Sequence, residues 1–341
     1  MELKEKIGQM LMLGFRGRSV GDTHPFAADL AAGRVGSVVL FDYDVLTQSD
    51  GRNIESPGQV RALVEDLQRR APTPLLVSVD QEGGRVRRLK SENGFAPLPS
   101  ARTLGQGEPA GTLAAARAAA AELAELGVNF NLAPCVDLDV YPENPIIGAK
   151  HRSFGADAGT VARHAAAFIK AHREHGVACC LKHFPGHGSS RDDSHLDMVD
   201  VSRTWSSSEL EPYRRLCAEG LVDAVMTAHV FNRELDPGAP ATLSRRVVGD
   251  LLRRDLGYDG VVVSDDLQMG AIARHYGLDT ALRLAVEAGV DILALANNTL
   301  YEENITARAV DILEKLVEEG HIGEERIDRS LARIDRLKRA R

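Results

Sequence analysis

The chain has 341 residues, 44% of them hydrophobic, and a formal net charge of −8. That is enough apolar material for one α/β barrel with long loops or for two ordinary domains. The acidic balance argues against nucleic acid or an anionic membrane as the main partner, and no stretch approaches the ~20 apolar residues of a membrane span.

The opening residues Met1 to Lys6 are charged and lack the apolar run of a signal peptide. Four cysteines (Cys135, Cys179, Cys180, Cys217) show no metal-type CxxC spacing. Adjacent Cys179 and Cys180 point to opposite faces of a strand, so reduced thiols and a cytoplasmic location are the expectation.

In chain order, residues 1–9 read as a short amphipathic helix and Met10 to Phe15 as a first strand. Val35 to Phe41 is a second strand, followed by polar Asp42-Tyr43-Asp44 and a long loop from Thr47 to Glu55. The next helix has a legible start: Ser56 as N-cap, Pro57 at the first helical position, and Gln59 where a capping box wants it. Val60, Leu63, Val64 and Leu67 mark its buried face. Pro74 to Val79 is the third strand and ends in Asp80-Gln81-Glu82-Gly83-Gly84-Arg85.

An Ala-rich helix over 110–126 precedes a fourth strand, Val128 to Val136, which ends in Asp137. A Pro- and Gly-containing loop, Tyr141 to Gly155, carries Arg152. A helix over 158–175 leads to the fifth strand, Val177 to Leu181. The chain breaks at Pro185-Gly186 after Lys182 and His183, and Asp193-Ser194-His195 follow. Helices near 208–219, 245–255 and 279–288 alternate with strands Asp223 to Ala228, Gly260 to Ser264 and Asp291 to Ala296. Two terminal helices, roughly 303–318 and 324–339, complete the chain.

Strand then helix repeats about eight times, with near-continuous apolar strands, which implies a parallel sheet covered on both faces. Eight such units favour a (β/α)8 TIM-type barrel, a single α/β domain over 1–341 with C-terminal helices. Asp80, Asp137, Lys182-His183, His229, Asp265 and Asn297 fall at or after the C-terminal ends of strands. In a barrel these points converge on one mouth.

A carboxylate at the end of an apolar strand, as Asp265 is, suits a nucleophile or an electrostatic stabiliser of a developing cation. The bland alternative is a residue capping the next helix, a role that fits Asp266 better. His195 lies two residues after Asp193, a spacing that lets a carboxylate orient an imidazole as an acid/base; alone, such a pair is more often an ordinary surface hydrogen bond. Lys182 could form a Schiff base or hold a substrate hydroxyl. His183, His187 and His195 could ligate a metal, although Pro185 spoils the His183-x3-His187 spacing. Arg85, Arg88 and Arg152, together with Asp80, look like a polar clamp for a hydroxylated or acidic ligand.

Taken jointly and in order, six segments resemble the bacterial β-N-acetylhexosaminidases of glycoside hydrolase family 3 in their single-domain form. They are Asp80 to Val86, Arg152 to Gly155, Lys182 to Gly188 with Asp193 to His195, Met226 to His229, Pro240 to Ser244, and Ser264 to Met269. The resemblance implies that Asp265 is the nucleophile of a retaining mechanism and that His195, paired with Asp193, is the acid/base. It implies that Asp80, Arg88, Arg152, Lys182 and His183 hold a terminal N-acetylglucosamine, and that a loop over about 187–199 closes on it. It implies a small carbohydrate partner from cell-wall recycling, no cofactor or metal, and no nucleic acid or membrane; a monomer is expected. Some relatives use phosphate as acceptor, so phosphorolysis stays open, and a Lys182 aldolase and a non-catalytic sugar-binding barrel are the competing readings. The loop over 43–58, carrying Arg52-Asn53-Ile54, is expected to edge the mouth.

Overall fold

A computed structural model describes residues 1–194 and 196–339. Eight parallel strands form one sheet: β1 (Leu11–Leu13), β2 (Ser37–Leu40), β3 (Leu76–Val79), β4 (Phe130–Asn131), β5 (Ala178–Phe184), β6 (Ala224–Thr227), β7 (Val261–Val263) and β8 (Leu293–Leu295). Their spatial order is β7-β6-β5-β4-β3-β2-β1-β8. A parallel bridge between Val263 and Ile292 returns the ladder on itself, supported by bonds from Asp291 N to Val262 O (2.8 Å) and from Ser264 N to Ile292 O (2.9 Å). The expected barrel is therefore present, with helices around it.

Every residue of these eight strands is buried. That explains their continuous apolar runs: one face packs inside the barrel and the other under the helices. The helices form where the sequence supplies starts and stripes. Ser56 Oγ accepts from Gln59 N (3.3 Å) at the head of Pro57–Arg70, whose Val60, Leu63, Val64 and Leu67 are buried. Gln59 reaches the Glu55 N–H (2.9 Å) instead of the cap residue's own. Asp157 caps Ala158–Glu174 by accepting from Thr160 N (2.7 Å). Leu278–Ala288 stops where Gly289 turns left-handed at φ 116°, a conformation that costs other residues a Cβ clash.

Four features differ from the sequence reading. β4 is short, because Pro134 offers no N–H to a ladder, although Cys135 still bridges Lys182. β5 runs on to Phe184, so Lys182 and His183 belong to the strand and are not just past it. A helix over Pro25–Ala31, capped by His24 Nδ1 accepting from Phe26 N (3.1 Å), separates β1 from β2. Within 43–58, Tyr43–Asp44 and Ser49–Asp50 pair as a small hairpin. No helix among the described residues is long and apolar enough to cross a membrane.

Candidate active site

The C-terminal ends of the strands surround a cavity of about 450 Å³. Its floor is apolar, with Met12, Leu132, Met226 and Ala294 contributed by four different strands or their ends. Ionisable side chains stand above that floor, and their positions follow from strand geometry. Asp80 and Glu82 are two apart in extended chain and so share a face. Lys182, near the end of β5, reaches both: its Nζ lies 2.7 Å from Asp80 Oδ1 and 2.7 Å from Glu82 Oε1.

Arg152 closes this network from the loop after β4. Its Nε and Nη2 make a two-pronged pair with the Glu82 carboxylate (2.8 and 2.7 Å). Arg88 Nη2 donates to the second oxygen of Asp80 (3.0 Å). Burial would raise the pKa of Glu82, but Arg152 and Lys182 outweigh it and bring it down to about 2. Burial likewise disfavours the Asp80 anion, and Lys182 and Arg88 reverse that, holding the carboxyl far below its usual range. For Lys182, burial works against the ammonium, yet Asp80 and Glu82 hold it above the ordinary lysine value. Schiff-base formation needs a neutral amine at this position, so an ammonium clamped by two carboxylates disfavours the aldolase reading.

His183 is oriented from behind by Asp137. Its Nδ1 lies 2.7 Å from Asp137 Oδ2 and its Nε2 lies 3.1 Å from Arg152 Nη2. A guanidinium can only donate, so Nε2 is the acceptor and Nδ1 carries the proton toward Asp137. The same carboxylate accepts from His187 N (2.8 Å) and from Cys135 Sγ (3.2 Å). Cys135, Asp137 and His183 bring three possible ligand atoms within 4.8 Å of one another. Cys135 Sγ and His183 Nδ1 donate to Asp137 while His183 Nε2 accepts from Arg152, so hydrogen bonds account for the grouping.

Asp265 follows β7 and lines the cavity, half-buried, with Oδ1 accepting from Asp266 N (2.8 Å). Asp266 does not cap the next helix, whose N-cap is Met269; its Oδ1 instead accepts from Gln268 N and Ala296 N, both at 3.1 Å, which ties the turn to the end of β8. His229 and Asn297 do not line the cavity. His229 bonds Thr242 Oγ1 (2.8 Å) and Asp266 O (2.9 Å), supporting the Asp265-Asp266 turn from outside. Asn297 bonds around Glu302, and its neighbour Asn298 faces the cavity instead.

The loop after β5 is firmly seated at its base. His187 is buried, with ring contacts to Ser190 Oγ (2.5 Å) and Ser194 Oγ (3.1 Å). Burial and then the His183 ring lower its pKa to about 4, so it carries no charge at neutral pH. Gly188 N donates to Glu209 (2.9 Å), and a Cβ on Gly188 would stand 1.9 Å from Leu138 O. Asp193 is half-buried. His195 lies outside the described residues.

The 43–58 loop lies at the mouth through Tyr43 and Val45, and its Arg52, Asn53 and Ile54 turn inward. Arg52 is buried and holds Asp44 Oδ2 (2.9 Å), Asn298 Oδ1 (3.0 Å) and Asn297 O (2.8 Å), tying the 43–58 loop to the end of β8. Tyr43 and Val45 from the same loop reach the cavity. Glu82 and Lys150 are site residues to which sequence reasoning gave no role, and Asp137, placed at a strand end, is found to orient His183. The two-residue spacing from Asp80 was the available signal for Glu82; Lys150 carried none beyond its place two residues before Arg152.

Comparison with known proteins gives the family. The sequence profile of the Glycosyl hydrolase family 3 N terminal domain matches residues 2–337. A Beta-hexosaminidase of Bordetella avium is 38% identical over 299 residues, covering 83% of this chain and 81% of that protein. A solved family 3 beta-N-acetylglucosaminidase from Paenibacillus sp. superposes with a TM-score of 0.90 at 40% identity; the match takes in 100% of this chain and 62% of that one. A Beta-N-acetylhexosaminidase from Beutenbergia cavernae gives 0.88 at 32% identity, covering 99% and 98% of the two chains. The chain belongs to glycosyl hydrolase family 3.

Proposed function

We propose that this protein is a retaining exo-β-N-acetylglucosaminidase, a single catalytic barrel over 1–341 that acts in the cytoplasm on cell-wall recycling fragments. The observation that carries the reading is the pairing of Asp265 with the Asp80–Lys182–Glu82–Arg152 network around one cavity. The network offers fixed charges and hydrogen-bond groups to the hydroxyls of a terminal sugar, and Asp265, in the wall of the same cavity, is the attacking carboxylate. The similarity to a Beta-hexosaminidase and to solved beta-N-acetylglucosaminidases supports N-acetylglucosamine as that sugar.

The steps follow from the residues. A carboxylate oxygen of Asp265 attacks the anomeric carbon while the bond to the leaving oxygen breaks. Protonated His195, oriented by Asp193, gives that oxygen its proton. Neutral His195 then takes a proton from water, whose oxygen attacks the anomeric carbon and releases Asp265 with the configuration retained. The other carboxylates lining the cavity suit the acid role poorly. Asp80 is ionised between Lys182 and Arg88, and Asp266 accepts backbone N–H groups.

One assay set tests the reading: aryl β-N-acetylglucosaminide and aryl β-glucoside, each with and without phosphate, with the released sugar and its first-formed anomer followed by NMR. The expected product is free N-acetylglucosamine, appearing first as the β anomer, at a rate indifferent to phosphate. A sugar phosphate product would make the enzyme a phosphorylase, and an initial α anomer would exclude the glycosyl-aspartate.

A further inference from the structure

A second cavity, of about 420 Å³, lies among the outer helices and shares no lining residue with the cavity at the mouth. It is bounded by the C-terminal half of the helix Leu278–Ala288, by Leu243 and Arg245 ahead of the helix Arg246–Asp255, and by the start of Glu324–Arg339 with the turn before it. Leu284, Val286 and Ile322 join Leu243 in an apolar wall, and Arg245, Arg326 and Arg329 supply charge. That charge is not balanced locally. Glu287 is the one carboxylate among the described lining residues, and Arg283 of its own helix holds both its oxygens (2.9 and 3.2 Å). Arg245 and Arg329 are exposed, and among the described residues neither has a carboxylate within ion-pair distance. Arg326 shares a single carboxylate, Asp291 (3.5 Å), with Arg253 and Arg333 (2.6 and 3.3 Å). Burial lowers the pKa of Arg326 to about 10; Asp291 opposes this, and Arg253, Arg333 and Arg329 add to it.

We infer that this cavity is a second, non-catalytic binding site, which takes a small phosphate monoester with an apolar body. A guanidinium meets phosphate oxygens two-pronged, and a dianion answers more than one unmatched cation where a carboxylate answers one. The apolar wall covers the organic part, and the volume is that of an ordinary small-molecule site. A phosphate held by Arg245 and Arg329 also relieves the repulsion that Arg326 feels from its neighbours. Arg326 sits on the terminal helix and reaches Asp291 and Val290 O (2.7 Å) ahead of β8. Occupancy of the cavity therefore stabilises the seat of that helix on the barrel. Nothing in this inference depends on the glycosidase reading.

Calorimetry on the unaltered protein at low salt tests this with phenyl phosphate, benzoate and inorganic phosphate. Phenyl phosphate should bind one to one and about tenfold tighter than either of the others, which lack the second charge or the apolar body. It should raise the midpoint of thermal unfolding in a concentration-dependent way. In Arg245→Met/Arg329→Met protein its affinity should fall about tenfold, and added salt should weaken it in the parent. Hydrolysis of an aryl β-N-acetylglucosaminide should be the same in parent and variant, since neither arginine lines the mouth. Absence of saturable binding, or an affinity that survives the double substitution, would overturn the inference. So would competitive inhibition of glycoside hydrolysis by phenyl phosphate, which would place it at the mouth, and equal binding of inorganic phosphate, which would leave the apolar wall without a role.

Discussion

The barrel carries buried charge at both ends, and the two ends use it differently. At the bottom, Asp291 precedes β8 and is fully buried. Its carboxylate meets Arg253 (2.6 Å), Ser330 Oγ (2.7 Å), Val262 N (3.0 Å), Arg333 (3.3 Å) and Arg326 (3.5 Å). These groups come from β7, the helix over Arg246–Asp255 and the terminal helix Glu324–Arg339. The carboxylate is saturated and serves as a clamp holding the last helix to the barrel. At the mouth, Lys182, Glu82 and Arg152 are as deeply buried, but the network borders an open cavity with Asp265 in its wall. Buried charge is thus no mark of a site by itself; an open cavity beside it, with a strand-end carboxylate in its wall, is what distinguishes the mouth.

The comparison can be broken most sharply at Asp265. Asp265→Asn should lower kcat for an aryl β-N-acetylglucosaminide at least about a thousandfold, because the proposed mechanism makes its covalent bond to the sugar through this carboxylate. Its thermal unfolding should shift little. At the other end, Asp291→Ala should cost about 3–5 kcal/mol of stability by leaving buried arginines without their anion. KM of the surviving folded enzyme should stay near that of the parent. A denaturant titration beside a kinetic assay checks both variants, and a large KM change in Asp291→Ala would erase the distinction between the ends.

A smaller effect concerns Glu209, which supports the base of the loop after β5 through Gly188 N. Burial raises its pKa from 4.5 to about 7. The folded state therefore binds this proton more tightly than the unfolded chain does. The associated stability is complete below about pH 4.5 and is lost as pH rises through about 7. Over that window the loss is about 3 kcal/mol at most. Glu209→Gln should flatten this part of the stability–pH curve, and an unchanged slope would show that the carboxyl does not titrate there. Smallest is the leaving-group effect: His195→Ala should slow substrates with poor leaving groups more than activated aryl ones, which need less protonation. Equal losses for both would remove His195 from the acid role.

Much of this was legible from residues alone. The eight apolar runs gave the barrel, because a strand buried on both faces leaves a run that a helix stripe does not. Asp265 and Lys182 were legible because chemistry placed after a strand end faces the mouth in this fold. The network itself was not. The reach of Lys182 to Asp80 and Glu82, and of Arg152 to both Glu82 and His183, joins residues up to 102 positions apart, and such distances leave no local pattern. Nothing local marks Arg52 as buried either: the turn folds this loop arginine inward against Asp44 and Asn298. His229 misled because a histidine after a strand can support a turn as readily as it can face a substrate.

The most direct measurement is chemical trapping. A 2-deoxy-2-fluoro-β-glycoside with an activated leaving group should accumulate the glycosyl-enzyme, since fluorine slows its hydrolysis. Peptide mapping by mass spectrometry should then find one added sugar, on the peptide that contains Asp265, as an ester absent from Asp265→Asn protein. An adduct on Lys182 or another carboxylate, or steady turnover with no adduct under conditions that trap a double displacement, would contradict the account.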